Sequence, residues 1–183
     1  MSDEQSAAPG KRRRRGPAHT VPLGERRSAA RLAAVQALYQ MDIASKGLNE
    51  IFAEFESHWM GREIEGEQYK PAEAAFFRVL VQGVVDHQRS IDPRIDEALA
   101  AGWPLRRVEA IMRAILRAGC QELMHAPDVP VKVVISEYVD IARAFLERDE
   151  TNMINAVLDK LAREARKVEF NPPAAALPAT GEG

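Results

Sequence analysis

One cysteine, Cys120, stands among 183 residues, so no intramolecular disulfide framework is available and the chain reads as the product of a reducing compartment. Its neighbourhood, "LRAGCQEL", has the character of a helix interior and not of an activated thiol site. No apolar run approaches the roughly 20 residues that span a bilayer, and the start lacks the apolar segment of a secretory signal. These absences together point to the cytoplasm. Nucleotide-binding and nucleophile-elbow fingerprints are missing too: there is no G-x-x-x-x-G-K-[ST], no G-x-G-x-x-G and no G-x-S-x-G, and no alternation of strands and helices to carry one. His19, His58, His87 and His125 lie far apart in the chain, without the spacing that sets two metal ligands on one helical face. Asp96 and Glu97, adjacent in sequence, diverge by about 100° on a helix, which makes them a solvated face and not an acid/base pair. The expectation is a protein without metal, cofactor or enzymatic activity.

Charge is present but unevenly placed. Residues 1–31 hold eight Lys/Arg against three Asp/Glu, while the rest of the chain holds 17 against 24. A basic start suits phosphate or an acidic surface, and an acidic body suits solubility and a basic protein partner. Residues 1–24, which include "KRRRR", combine Pro, Gly, Ser and charge with almost no bulky apolar side chain, and so cannot offset the entropy of ordering. They read as a disordered basic tail whose contacts are electrostatic and non-specific. Residues 171–183, "NPPAAALPATGEG", read as a second, Pro/Ala-rich tail.

Between the tails, residues 25–170 form the single expected domain, and their apolar periodicity is helical. The first helix, over residues 26–45, lines up Leu32, Val35, Leu38 and Tyr39; the next, over "LNEIFAEFESHW", lines up Ile51, Phe52, Phe55 and Trp59. Pro71 suits a first helical turn, with Phe76, Phe77, Leu80, Val84 and His87 following. "DPRIDEALAAG" reads as a short separate helix with Asp92 as N-cap, Pro93 in the first turn and Gly102 as the stop. Pro104 opens another, through Val108, Ile111, Met112, Ile115 and Leu116 to Met124. Residues 130–147 and about 151–168 supply the last two, with Ile154, Val157, Leu158, Leu161 and Ala165 on the final stripe. Only "VPVKVVI", residues 129–135, could pass for a strand, and helix is preferred because a lone strand has nothing to pair with. The fold class is all-α, a bundle of about seven helices.

Two polar features stand out on this bundle. Arg27 and Arg31 share one flank of the first helix, roughly 80 to 110° from the apolar centre, where the rim faces out. The helix dipole favours acidic groups at an N-terminus, so helix stability gives no reason for them. Arginine suits bidentate phosphate contact and base stacking, and a solvated charged helix end is the plainer alternative. In "RDETNMINAVLDKL", Asn152, Asn155 and Asp159 make a polar ridge beside the apolar stripe. Asn155 either bonds the start of a neighbouring helix or faces a ligand.

Five segments then resemble one family taken together: "AARLAAVQALYQMD", "FFRVLVQGV", "ILRAGCQEL", "DVPVKVVISEYVDIARAF" and "MINAVLDKLA". In that order they resemble the NusB family of bacterial transcription antitermination factors, over about residues 26–168. The resemblance implies an all-helical fold of two packed helical subdomains and no catalysis. It implies binding to the boxA element of ribosomal RNA leader transcripts, jointly with the small-subunit ribosomal protein that acts as NusE. Other antitermination factors and RNA polymerase complete the implied complex, and some relatives pair as homodimers. By the same resemblance Arg26, Arg27, Arg31 and Tyr39 lie near RNA, together with Asp149, Asn152, Met153 and Asn155. The protein partner is implied at the helix around residues 105–124, through Glu109, Met112 and Arg113. Two departures are visible: Ser28, Ala29 and Ala30 interrupt the basic motif, and Met153 stands where some members carry a phenylalanine able to stack on a base. The same module resembles the N-terminal domain of certain ribosomal RNA cytosine methyltransferases, but only 13 residues follow Phe170, too few for a catalytic domain. A purely protein-binding helical module is the remaining alternative.

Overall fold

Residues 110–125, "AIMRAILRAGCQELMH", carry small and aliphatic side chains around most of the helix circumference, and such a helix is satisfied only at the centre of a bundle. The computed structural model, which describes residues 23–61, 71–100 and 102–170, places it there. In chain order the helices are α1 (Leu23–Ala44), α2 (Leu48–Gly61), α3 (Pro71–Ala98), α4 (Ala110–His125), α5 (Val131–Phe145), α6 (Arg148–Ala165) and the single turn α7 (Lys167–Phe170), with a 3-10 turn at Leu105–Arg107. Among the described residues there is no strand, and none of these helices is long and apolar enough to cross a membrane.

α4 packs against α1, α3, α5 and α6. α1 runs antiparallel to it, since Arg31 meets Glu122 and Asp42 meets Arg113. α3 is antiparallel as well, with His87 against Gln121 and Asp92 against Arg117. α5 folds back through the turn 126–130, and α6 lies parallel to α4, with Leu158 beside Gly119 and Arg166 beside Leu123. The three helices before α4 and the three after it thus close over it around one core. Close approach decides residue 119: a Cβ there would lie 2.7 Å from Leu158 Cδ2 and 3.3 Å from Tyr138 Cδ2.

The turn after α4 is held by one side chain. Arg166 donates from Nε to the Leu123 carbonyl at 2.6 Å, from Nη2 to Ala126 at 2.6 Å and from Nη1 to Val129 at 2.9 Å, covering carbonyls that a helix end leaves unpaired. Glu169 accepts the Val131 N–H at 3.0 Å; that bond and then Arg166 hold its carboxyl below the ordinary value.

Several sequence expectations are corrected. Residues 71–98 are one helix and not two, with Pro93 inside it. Ile91, Ile95 and Leu99 are buried at four-residue spacing, and burying each is worth about 1.5–3 kcal/mol, enough to carry the helix past the proline. Asp92 is therefore no N-cap; it accepts two hydrogen bonds from Arg117 at 2.8 Å each. Pro104 opens only the 3-10 turn, because Asp96 takes the Leu105 N–H at 2.6 Å while Leu105 and Val108 are buried, and α4 begins at Ala110. α1 begins at Leu23, inside the expected tail, and the last long helix ends at Ala165, which is exposed. The rest of both tails, with "KRRRR" and His19, lies outside the described residues, as do the side chains of His58 and Trp59.

Candidate nucleic-acid interface

The first three turns of α1 divide their arginines between two tasks. Arg31 was expected on the open rim and is instead buried, 2% exposed. Its Nε donates to Glu122 Oε2 at 2.9 Å and its Nη2 to Oε1 at 2.5 Å, while Nη1 lies 3.2 Å from Glu137 Oε2. Tyr138 Oη donates to the same Glu122 carboxylate at 2.9 Å. Burial would lower the arginine pKa, but the hydrogen bond and charge of Glu122 outweigh it, so the guanidinium is held charged. Burial, then the Glu122 charge, pushes the Tyr138 hydroxyl well above its ordinary value. The rim is closed there because α5 covers this flank of α1 with Glu137 and Tyr138, and helical periodicity within α1 carries no sign of α5. Arg31 is therefore a buried cross-link between α1, α4 and α5.

Arg27, one turn earlier, is half-exposed. Its guanidinium carbon lies 5.2 Å from the centroid of the Phe76 ring, and Arg31 approaches the same ring at 5.3 Å. The ring, read from sequence only as part of an apolar stripe, is thus a platform under both guanidinium groups. Asp128 Oδ2 in the α4–α5 turn stands 3.9 Å from Arg27 Nη1. Arg26 is partly exposed beside it. Tyr39 is half-buried against the core, three turns further along α1, about 18 Å from Arg27 by helical rise.

On α6, Asp149, Asn152 and Asn155 are exposed and Met153 is half-buried against the core. Neither Asn152 nor Asn155 makes a side-chain hydrogen bond to any described residue, so the inter-helix role considered for Asn155 is not the one it takes here. Asp159 instead pairs with Arg163 at 2.7 Å. Arg27 and this ridge are not brought together. Arg166, at the far end of α6, sits at the α4 end where Arg27 also lies, and Asp149 is about 25 Å away from Arg166 along the helix.

The expected partner residues divide similarly. Glu109 is exposed, but Met112 is 3% exposed in the core, and Arg113 is engaged by Asp42 at 2.7 Å. Among the exposed apolar side chains at this end are Ile43, next to Asp42, and Trp103, 53% exposed, with Arg106 and Arg107 exposed after it. Among the described residues no group of three or more His, Cys, Asp or Glu could hold a metal ion. His87 and His125, distant in sequence, stack with ring centroids 4.0 Å apart, a pairing that only the α3–α4 packing creates. Desolvation and then His87 lower the His125 pKa. Cys120 is buried and its thiol is pushed up to about 12 by desolvation.

Against known proteins, a family model described as "NusB family" matches residues 28–163. The transcription antitermination protein NusB of Bradyrhizobium sp. (strain ORS 278) is 66% identical over 160 residues, covering 86% of this chain and 95% of the relative. Among solved structures, T. maritima NusB superposes with a TM-score of 0.67 at 28% identity, over 79% of this chain and 96% of that one. The crystal structure of the antitermination factors NusB and NusE in complex with double-stranded RNA matches with a TM-score of 0.66 at 22% identity, over 76% of this chain and 98% of that one, which speaks for the fold alone. With its helical order, its α4-centred packing and a family match across the described helices, the chain belongs to the NusB family.

Proposed function

We propose that this chain is a transcription antitermination factor that binds boxA RNA of ribosomal RNA leader transcripts together with the ribosomal protein acting as NusE. The observation that carries the reading is its 66% identity, over nearly the full length of the relative, to a transcription antitermination protein. The 22%-identical NusB in complex with NusE and RNA shares the fold. The mechanism is adhesive and non-enzymatic, and it operates on RNA polymerase in the cytoplasm. The helices from Leu23 to Phe170 act as one RNA-binding unit, flanked by residues 1–22 and 171–183.

Arg26 and Arg27 contact phosphate, with Arg27 presented from the Phe76 ring. Asp149, Asn152 and Asn155 offer acceptors and amide donors to unstacked bases, Met153 lends a thioether to cover one, and Tyr39 contributes from α1. An RNA touching both groups runs along the bundle. Arg31 supports this surface from beneath and does not reach out of it. The protein partner docks at the other end of α4 through Glu109 and the neighbouring Trp103, Arg106 and Arg107, the residue types that dominate interface energetics. Met112 and Arg113 shape that end from inside.

The test is RNA binding with and without the ribosomal partner, measured for the full chain on boxA RNA and on a scrambled control. Tighter binding to boxA in the presence of the partner is expected, because each ligand pre-orders the other's site. Equal affinity for both RNAs with and without partner would overturn the reading.

A further inference from the structure

Arg27 meets its two neighbours in different ways. The Phe76 ring lies under its guanidinium at 5.2 Å and fixes where the charge sits. Asp128 Oδ2 stands 3.9 Å from Nη1, beyond the roughly 2.7–3.2 Å of a hydrogen bond, so it supplies charge without orienting the group. Its side chain is 71% exposed and that of Arg27 is 39% exposed. Among the described residues no other ion pair or side-chain hydrogen bond engages Asp128. The carboxylate is nevertheless not adrift. Arg166 clasps the carbonyls of Ala126 and Val129 on either side of it, which keeps the turn next to α1. Of the other acids near this end, Glu122 and Glu137 are directed at Arg31, Glu169 at Arg166 and the Val131 N–H, and Glu25 is exposed in the first turn of α1; Lys132 is exposed one turn beyond Asp128.

We propose that Asp128 is an electrostatic brake on the RNA surface: a carboxylate held beside Arg27 that lowers its attraction for phosphate. The inference rests on the reading that Arg27 contacts RNA. A phosphate arriving at Arg27 meets a cation already partly neutralised, and a carboxylate about 4 Å away that repels it. Two consequences follow. Affinity is lower than the arginines alone would give, and binding at Arg27 depends less on salt, since the neutralised cation displaces fewer condensed counterions from the RNA. A basic start that would otherwise hold any single strand is thereby kept weak on its own, which leaves base contacts and the protein partner to decide what is retained.

The experiment is fluorescence anisotropy on a labelled single-stranded boxA RNA across a range of salt, with full-length wild type, Asp128→Asn, Arg27→Ala and the double variant. Both side chains are exposed and thermal melts verify that each variant is folded. Asp128→Asn should bind about fivefold more tightly at low salt, the scale of one unit-charge interaction at 4 Å in water. Its salt slope should steepen by up to about 0.7, one single-strand phosphate contact. In the Arg27→Ala background the same substitution should do far less. The brake is refuted if Asp128→Asn weakens binding, which would make Asp128 a positioning group, or if it tightens binding equally with and without Arg27. Arg27→Ala without effect on affinity or slope overturns the RNA reading itself, whereas an effective Arg27→Ala beside an inert Asp128→Asn overturns only the brake.

Discussion

Replacing Arg31 with methionine tests the division of labour within α1. The substitution keeps the aliphatic bulk and removes the charge, leaving the Glu122 carboxylate, whose side chain is wholly buried, with only the Tyr138 hydroxyl at 2.9 Å. Breaking a buried ion pair from one side costs about 3–5 kcal/mol, because a desolvated charge is left uncompensated. The contact to Glu137, whose side chain is 26% exposed, adds little by comparison, since water screens it. For a domain stable by about 5–15 kcal/mol, that loss lowers Tm on the order of 10 °C. Urea unfolding followed by circular dichroism reads it directly, as a shifted midpoint at constant slope. The double variant Arg31→Met with Glu122→Leu should recover most of the loss, leaving about 1 kcal/mol for the orphaned Tyr138 hydroxyl. A single-variant cost under about 1 kcal/mol, or a double variant no better than the single, would refute the buried-pair reasoning.

The close helix approach predicts that Gly119→Ala destabilises by about 1–3 kcal/mol through overpacking against Leu158 and Tyr138, read by the same denaturation assay. Because the Tyr138 hydroxyl is raised above its unfolded value near 10, its stabilising contribution is complete below that pH and is lost as pH climbs from there towards the folded pKa. Tyr138→Phe should flatten that part of the stability–pH curve. With its thiol buried and pushed up to about 12, Cys120 should react with a thiol reagent at pH 8 only as fast as the protein opens, and immediate labelling of the native protein would contradict the packing. The His125 ring, lowered by desolvation and by His87, should titrate in NMR below a free histidine, and His87→Ala should move it upward.

The helices were readable because their apolar residues recur at helical spacing, and the all-α class needed nothing more. What went astray depended on contacts between helices. Pro93 looked like a helix start because its cost is local, whereas the burial of Ile95 and Leu99 that outweighs it belongs to the whole bundle. Arg31 looked free because α1 alone shows a rim there, and α5 closes over it with Glu137 and Tyr138. Met112 falls on the apolar face of α4, and that face is turned to the core. Arg27, Asn152 and Asn155 were legible as polar residues without a helical reason for being polar. Phe76 and Asp128 were not, since a stripe phenylalanine and a turn aspartate gain meaning only when α3 and the α4–α5 turn arrive beside α1.

In the proposed function Arg27, and not Arg31, faces the RNA. Titrating unlabelled boxA RNA into protein with nitrogen-15-labelled arginine and following the Nε–Hε signals by NMR tests it most directly. The Arg27 signal should shift or broaden in step with binding while the Arg31 signal, held between Glu122 and Glu137, stays in place. Movement of the Arg31 signal with Arg27 unchanged would contradict the account.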